Sequence, residues 1–389
     1  MNNKVELLAP AGNFDCLKAA VQNGANSVYF GGNLFNARNS ADNFDDKSLK
    51  EAILYCKLRN VKTNLTLNTL IKNNELEDAF NLAVTAYKYG IDAIIVQDIG
   101  LAKLLINKIP NLPIHASTQT TTYNLEGAIQ MQKIGFKRIV LSRELSVNEI
   151  DNICKNINIE TEVFIHGALC ISYSGQCLAS SMIGGRSGNR GKCAGPCRLP
   201  YTLIEHNNNT EKKLDDGYLL STSDLCSLEF LPTLIKSGVK CFKIEGRLKS
   251  SEYVAIVTKI YRKYIDIIES GKEYIIDKND KKDLMQAFNR GLFSSGHLDN
   301  MPNKNLVYSK KQNNMGIPLG KVTNFNPKKG YITLKLNESI SIGDSISIDG
   351  ENGSYNVSEL IINNNNEKHG YKENIVKLGR MKGNIKIRK

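Results

Sequence analysis

Four cysteines fall within 28 residues, as Cys170-x6-Cys177-x15-Cys193-x3-Cys197, inside the run HGALCISYSGQC…RSGNRGKCAGPCRLPY. The run is rich in Gly, Ser and Arg and poor in apolar residues, so core packing does not account for the thiols. Thiolates at this spacing can converge on one soft metal centre, and sulfur ligands select zinc, copper(I) or iron–sulfur clusters. Structural zinc sites favour cysteine pairs separated by two to four residues. Cys193 and Cys197 meet that spacing, whereas Cys170 and Cys177 are separated by six residues. The looser arrangement suits a cluster as well as a single ion.

The remaining cysteines read differently. Cys16, Cys56 and Cys154 sit in amphipathic helical patterns and Cys241 in an apolar strand-like run, where free cysteine behaves as a small hydrophobe. Cys226, in SDLCSLEFL, reads as core and as the substitute ligand. The N-terminus MNNKVELLAPAG has no signal-peptide apolar core, and no run of about 18 apolar residues is present for a membrane span. A cytoplasmic protein with no membrane partner is therefore expected, in a compartment where clustered cysteines bind metal or catalyse rather than form disulfides. The net charge is +12, which permits attraction to phosphate backbones, although the lysines are spread along the chain.

The elements that position these residues alternate between strand and helix patterns over the first 250 residues. VELLAPAG (5–12), SVYFGG (27–32), KTNLTLNT (62–69), DAIIVQD (92–98), LPIHAST (112–118), KRIVLSREL (137–145), TEVFIHGA (161–168) and VKCFKIEG (239–246) read as eight strands. Gly24, Gly90, Gly135 and Gly238 follow helical patterns as C-terminal caps. The count predicts an α/β fold, a (β/α)8 TIM-like barrel over 1–292, with an insertion at 169–222 after strand seven that holds the clustered cysteines. A linker is expected over 293–315. Alternating strands and turns over 316–389, ending in NIKIRK, predict a small C-terminal β-barrel able to dock on RNA or another domain, or to serve only as packing. The Asn-rich stretches 206–209 and 363–366 read as surface loops.

Barrel active sites lie at the C-terminal ends of the strands. The polar tails expected to face that bowl are Asn68, Gln97, Asp98, His115, Ser117, Gln119, Arg143, Glu144, His166, Glu245 and Arg247. Each has a structural alternative. His115 suits a hydrogen-bonded core histidine, Arg143 and Glu144 an ion pair, and Glu245 and Arg247 closure of the mouth through neighbours.

At EVFIHGALCISYSGQC the chain resembles a known family. The run Glu162-x-Phe164-x-x-Gly167-Ala168-Leu169-Cys170-x4-Gly175-x-Cys177-x-x-Ser180 is similar to the signature of the collagenase-like peptidase family (peptidase family U 32), with Ala179 where the signature carries a larger aliphatic residue. ELLAPAG, HASTQ (115–119), LSREL (141–145), KIEGR (243–247) and FNRG (288–291) extend the resemblance from residue 5 to about 295. GRSGNRGKCAGPCRLPYTL is similar to the branch serving 5-hydroxycytidine synthesis in ribosomal RNA, with the tRNA uridine hydroxylation branch next and a ubiquinone hydroxylation branch beyond. The resemblance implies a 4Fe–4S cluster on Cys170, Cys177, Cys193 and Cys197, RNA as partner, and prephenate, a small dicarboxylate, as co-substrate. Protein partners are left open.

Two other functions compete with this expectation. One is a peptidase acting on peptide substrates, as the family name implies. The chain has no H-E-x-x-H zinc motif and no G-x-S-x-G elbow, which leaves a spare cysteine paired with His166 or His115. The other is a non-catalytic, zinc-stabilised RNA-binding barrel, because zinc held by four cysteines has no open position for water.

Overall fold

A computed structural model describes residues 5–207, 210–299, 306–349 and 353–380. The chain divides into two compact units, Met1–Asn314 and Met315–Lys389. In the first, β1 (Glu6–Pro10), α1 (Phe14–Gln22), β2 (Ser27–Gly31), α2 (Asp46–Lys57), β3 (Lys62–Leu67), α3 (Leu76–Tyr89), β4 (Ala93–Val96), α4 (Ile99–Lys108), β5 (Ile114–Ala116), α5 (Leu125–Ile134), β6 (Arg138–Val140), α6 (Val147–Asn156) and β7 (Glu160–Ala168) alternate. After β7 come α7 (Ala179–Gly184), the hairpin β8 (Tyr201–Asn207) and β9 (Thr210–Gly217), and β10 (Asp224–Cys226). The unit continues through α8 (Leu231–Lys236), β11 (Cys241–Ile244), α9 (Ser251–Glu269), α10 (Lys278–Ala287) and β12 (Phe293–Ser294).

Strands β1 to β7 pair in order, all parallel, and β11 pairs in parallel with both β1 and β7, closing an eight-stranded barrel. The strands are short and almost wholly buried, as parallel strands covered by helices must be. The helices are amphipathic. In α9, Tyr253, Val254, Val257, Tyr261 and Tyr264 are buried against the barrel, and the opposite face carries charge. Asn13, Asp45, Asp98, Asn124, Ser146 and Ser250 cap the helices that follow the strands. The four glycines expected as helix stops all take positive φ, from +91° to +112°.

The N-terminal end of the barrel is sealed by charge rather than by apolar side chains. Arg138 donates to Glu6 at 2.8 Å and to Glu160 at 2.6 Å, and it lies 3.4 Å from Glu162. Lys243 pairs with Glu162 at 2.8 Å, and Lys62 with Glu6 at 3.0 Å. Removing one member of such a buried network strands the others, at about 3–5 kcal/mol.

The segment expected as a linker belongs instead to the first unit as far as Asn314. Phe293–Ser294 extends the sheet beside β10, and Val307 bridges to Thr222. The second unit forms a five-stranded antiparallel sheet from Gly320–Asn326, Tyr331–Leu336, Leu360–Ile362, Asn365–Asn366 and Ile375–Leu378, around Leu334, Leu336, Leu360, Val376 and Leu378. Among the described residues no pairing joins the two ends of that sheet. The strand expected at NIKIRK lies outside the described residues, as do Asn208 and Asn209. His206 and Asn207 end β8, and Asn363–Asn364 make the turn of a hairpin.

Candidate functional site

The segment after β7 turns back across the C-terminal ends of the barrel strands, held by three side chains. Glu144, after β6, accepts from the Ser174 N–H and hydroxyl at 3.0 and 3.1 Å. Arg190 grips Glu75 with both nitrogens, Nη1 to Oε2 at 2.7 Å, beyond the end of β3. Arg198 donates to Leu169 O, Thr222 O, Thr222 Oγ1 and Ser221 Oγ at 2.6–2.8 Å. Two glycines allow the close approach. A Cβ on Gly175 (φ +77°) would meet Gln119 O at 2.3 Å, and one on Gly191 (φ +74°) would meet Asn36 O at 2.1 Å.

These contacts bring the four cysteines to the barrel mouth. All are free thiols; Cys193 is exposed and the other three are half-buried. Burial pushes the Cys197 thiol up, Arg198 opposes it, and Cys170, Cys193 and Cys177 each add to the rise, so Cys197 senses all three. Cys193 Sγ accepts from Gly195 N–H at 3.4 Å, and Ser180 Oγ accepts from Ala194 N–H at 2.8 Å. Among the described residues no three His, Cys, Asp or Glu side chains gather as a set able to hold a metal ion. The four thiols are the donor type that a cluster requires, and the Gly195 N–H directed at Cys193 Sγ and the Arg198 guanidinium acting on Cys197 are contacts of the kind that stabilise thiolate ligands.

On the strand tails at this end of the barrel, several buried polar atoms lack partners among the described residues. Gln97 Oε1, Gln119 Oε1, Ser142 Oγ, Arg143 Nε, Glu144 Oε2 and Arg247 Nε, all on tails of β4, β5, β6 and β11, have no hydrogen-bond partner among the described residues. Buried polar groups are nearly always satisfied, so these atoms call for water or a polar ligand. Glu245 pairs with Arg38 at 3.0 Å. Burial opposes its ionisation, but Arg38 and Arg143 outweigh burial and hold the carboxyl below its ordinary value. Arg247 donates to Thr66 at 3.1 Å, to Asn36 at 3.2 Å and to Asn43, and burial lowers it to about 10. Arg143 makes one long bond, to Ala168 O at 3.3 Å.

Not every predicted residue joins this group. His115 pairs in register with Ile95 and Arg138, and its Nδ1 has no partner among the described residues. Burial and then Arg138 hold it well below the ordinary histidine range, which places it in the field of the charged seal. His166 does not sit in the bowl. Its ring packs against Tyr253 and Tyr261 of α9 and against Phe293, and Nδ1 lies 3.3 Å from the Tyr261 hydroxyl. Burial lowers it to about 3, so it is a neutral core histidine. Asp98 caps α4 through Leu101 N–H and also accepts from Ile71 N–H. Asn68 accepts from Ala37 N–H at 3.0 Å, and Ser117 caps the turn that carries Gln119. Arg143 and Glu144 bind different partners, Ala168 and Ser174.

The sequence reading passed over Arg38, Arg190 and Arg198. The signal for Arg198 was its place directly after Cys197; Arg38 and Arg190 act on residues more than a hundred positions away, so no local pattern marks them. A small cavity of about 20 Å³ lies beside Ser142, Arg143 and Phe164. A groove of about 590 Å³ at the root of the β8–β9 hairpin is lined by Tyr201, Thr202, Asp216 and Lys310 and contains none of the candidate site residues.

The description Peptidase family U32 matches residues 12–308. An uncharacterized protease of Methanocaldococcus jannaschii is 38% identical over 89% of this chain and 87% of its own length. A tRNA hydroxylation protein of Bacillus subtilis is 32% identical over 94% of this chain and 89% of its own. The 23S rRNA 5-hydroxycytidine synthase of Escherichia coli is 35% identical over 89% of this chain, which spans about half of that relative, 53%.

Proposed function

We propose, from the premise that this chain belongs to Peptidase family U32, that it is an enzyme promoting 5-hydroxylation of a pyrimidine in structured RNA, ribosomal RNA before tRNA. The observation that carries the reading is the four-thiol segment fastened over a bowl of unpartnered polar atoms by Glu144, Arg190 and Arg198. Relatives named for rRNA 5-hydroxycytidine synthesis and tRNA hydroxylation support it. In this reading Cys170, Cys177, Cys193 and Cys197 hold a 4Fe–4S cluster. Bound there, the cluster supplies the one-electron chemistry that amino-acid side chains lack.

The chain's own residues bind and orient. Arg143 commits a single N–H and leaves Nε unpaired, so it is the guanidinium best able to take a carboxylate of a small dicarboxylate such as prephenate. Arg247 is already committed to Thr66, Asn36 and Asn43, and in this reading it shapes the wall. Glu245, kept ionised by Arg38 and Arg143, sets the charge of the floor. The surplus of 51 basic over 39 acidic residues supplies phosphate attraction, so RNA binding weakens steeply as salt rises. No helix among the described residues is long and apolar enough to cross a membrane, and the proposed location is the cytoplasm.

The peptidase alternative gains little from the spare cysteine. Cys226 and His166 stand opposite each other on β10 and β7, and both side chains turn to the Tyr261 hydroxyl, at 3.7 and 3.3 Å. Burial raises the thiol and lowers the imidazole, the opposite of what an activated thiolate–imidazolium pair needs. The deciding experiment compares nucleosides in RNA from cells with and without the gene, grown iron-replete. A 5-hydroxypyrimidine lost on deletion, then restored by wild type but not by Cys193→Ala, supports the proposal. Identical nucleoside profiles overturn it.

A further inference from the structure

Two tyrosines are exposed next to the cysteine segment, Tyr123 beyond the tail of β5 and Tyr173 between Cys170 and Cys177. Their ring centres lie 6.2 Å apart with the planes at 66°. Tyr173 is 58% exposed and Tyr123 49%, and neither hydroxyl has a hydrogen-bond partner among the described residues. The backbone that carries the pair is held tightly. Thr121 Oγ1 donates to Ser174 O at 2.7 Å, and Gln176 Nε2 donates to Thr121 Oγ1 at 2.7 Å. Thr121 itself takes φ +57° and ψ +47°, a left-handed conformation that a β-branched residue adopts only under constraint. Strained residues of this kind gather at ligand-binding sites. The charge of the segment has one sign. From 163 to 204 the chain has no acidic residue, while Arg186, Arg190, Lys192 and Arg198 are basic. Arg190 is paired with Glu75 and Arg198 holds backbone carbonyls. Arg186 and Lys192 are exposed, and Arg186 donates to Lys192 O at 3.2 Å, which keeps the two together. Rigidly mounted aromatic rings on a cationic surface suit unpaired nucleic acid, whose bases stack and whose phosphates meet the charge.

We propose that Tyr123 and Tyr173 form a stacking platform for an unpaired base adjacent to the nucleotide that reacts. The inference rests on the reading of RNA as substrate and adds which side chains grip the strand beside the reacting position. C5 of a paired pyrimidine faces the deep, narrow major groove of A-form RNA, which side chains do not read. Chemistry at that carbon therefore takes the nucleotide out of its helix, at the cost of lost stacking. The neighbouring base loses a stacking partner in the same step, and an exposed tyrosine ring replaces it.

The test measures binding of the full-length protein, by fluorescence anisotropy at fixed salt, to a labelled RNA hairpin with an unpaired pyrimidine loop and to a blunt duplex of the same stem. The hairpin is expected to bind more tightly than the duplex. Tyr123→Ala and Tyr173→Ala each weaken hairpin binding about tenfold and leave duplex binding unchanged. Tyr123→Phe and Tyr173→Phe, which keep the rings, bind as wild type does. A hairpin with 5-iodouridine in its loop, irradiated on the wild type, crosslinks to Tyr123 or Tyr173, as peptide mass spectrometry shows. Hairpin affinity unchanged in both alanine variants overturns the platform and leaves the RNA reading intact, as do crosslinks confined to other segments. A wild type that binds neither RNA overturns both.

Discussion

Arg198, the residue after Cys197, donates through Nη2 to the carbonyl of Leu169, the residue before Cys170, at 2.8 Å. One guanidinium thus ties the first and last cysteines of the cluster segment together, and its other nitrogen fixes Thr222 and Ser221 where the segment ends. Arg198→Ala is expected to leave two backbone carbonyls without their charged donor, costing on the order of 2–3 kcal/mol. Arg198→Lys should recover little, because an ammonium cannot span the fork. Thermal melting and the iron retained after anaerobic reconstitution measure both effects, and iron retention equal to wild type in Arg198→Ala would remove the clamp role.

The cysteines themselves divide by environment. Replacing any one of Cys170, Cys177, Cys193 or Cys197 by Ala is expected to lower iron and sulfide after anaerobic reconstitution. Cys16→Ala should leave both unchanged, since Cys16 is buried on α1 with its thiol directed at Lys249 O. Parallel metal analysis separates the zinc alternative: stoichiometric zinc with no iron in the wild type speaks against the cluster.

Arg143 and Arg247 differ in how firmly they are held, and their variants should differ likewise. Arg143→Ala forfeits one 3.3 Å bond, so a stability change of about 1 kcal/mol or less is expected, together with loss of product. Arg247→Ala removes three hydrogen bonds from the wall, to Thr66, Asn36 and Asn43, and is expected to cost about 3 kcal/mol. Chemical denaturation beside product assay distinguishes the two. Full activity in Arg143→Ala would withdraw it as the anion-binding group.

The barrel was legible because its signals are local. Eight apolar strands and capping glycines each announce themselves within a few residues, and the closure between β7 and β11 follows from the strand count. The tail of the barrel was misread because Phe293–Ser294 is only two residues long and gains its identity from β10, which no periodicity reveals. His166 was misplaced for a related reason. Strand-end position alone sent it to the bowl, but Gly167 takes φ +103° and the β7–β11 register shifts beside it, while Tyr253, Tyr261 and Phe293 supply an aromatic bed. The charged seal of Glu6, Arg138, Glu162 and Lys243 was likewise invisible, since each charge stands alone in an apolar strand and its partner lies far along the chain.

That bed makes His166 a handle on acid stability. Its folded value of about 3 lies below the unfolded value of about 6.5, so between these the unfolded chain binds the extra proton. The stability it contributes is complete above pH 6.5 and is lost as pH falls toward 3, by about 1.4 kcal/mol per unit within that window. His115, also held low by burial, adds to the same slope. His166→Phe keeps a ring among Tyr253, Tyr261 and Phe293 and removes the titration, so it should fold and show a shallower loss of stability between pH 6.5 and 4. Denaturant midpoints across that range measure the slope. An unchanged slope in His166→Phe would mean that the imidazole is not held neutral, and its place against α9 would then need another explanation.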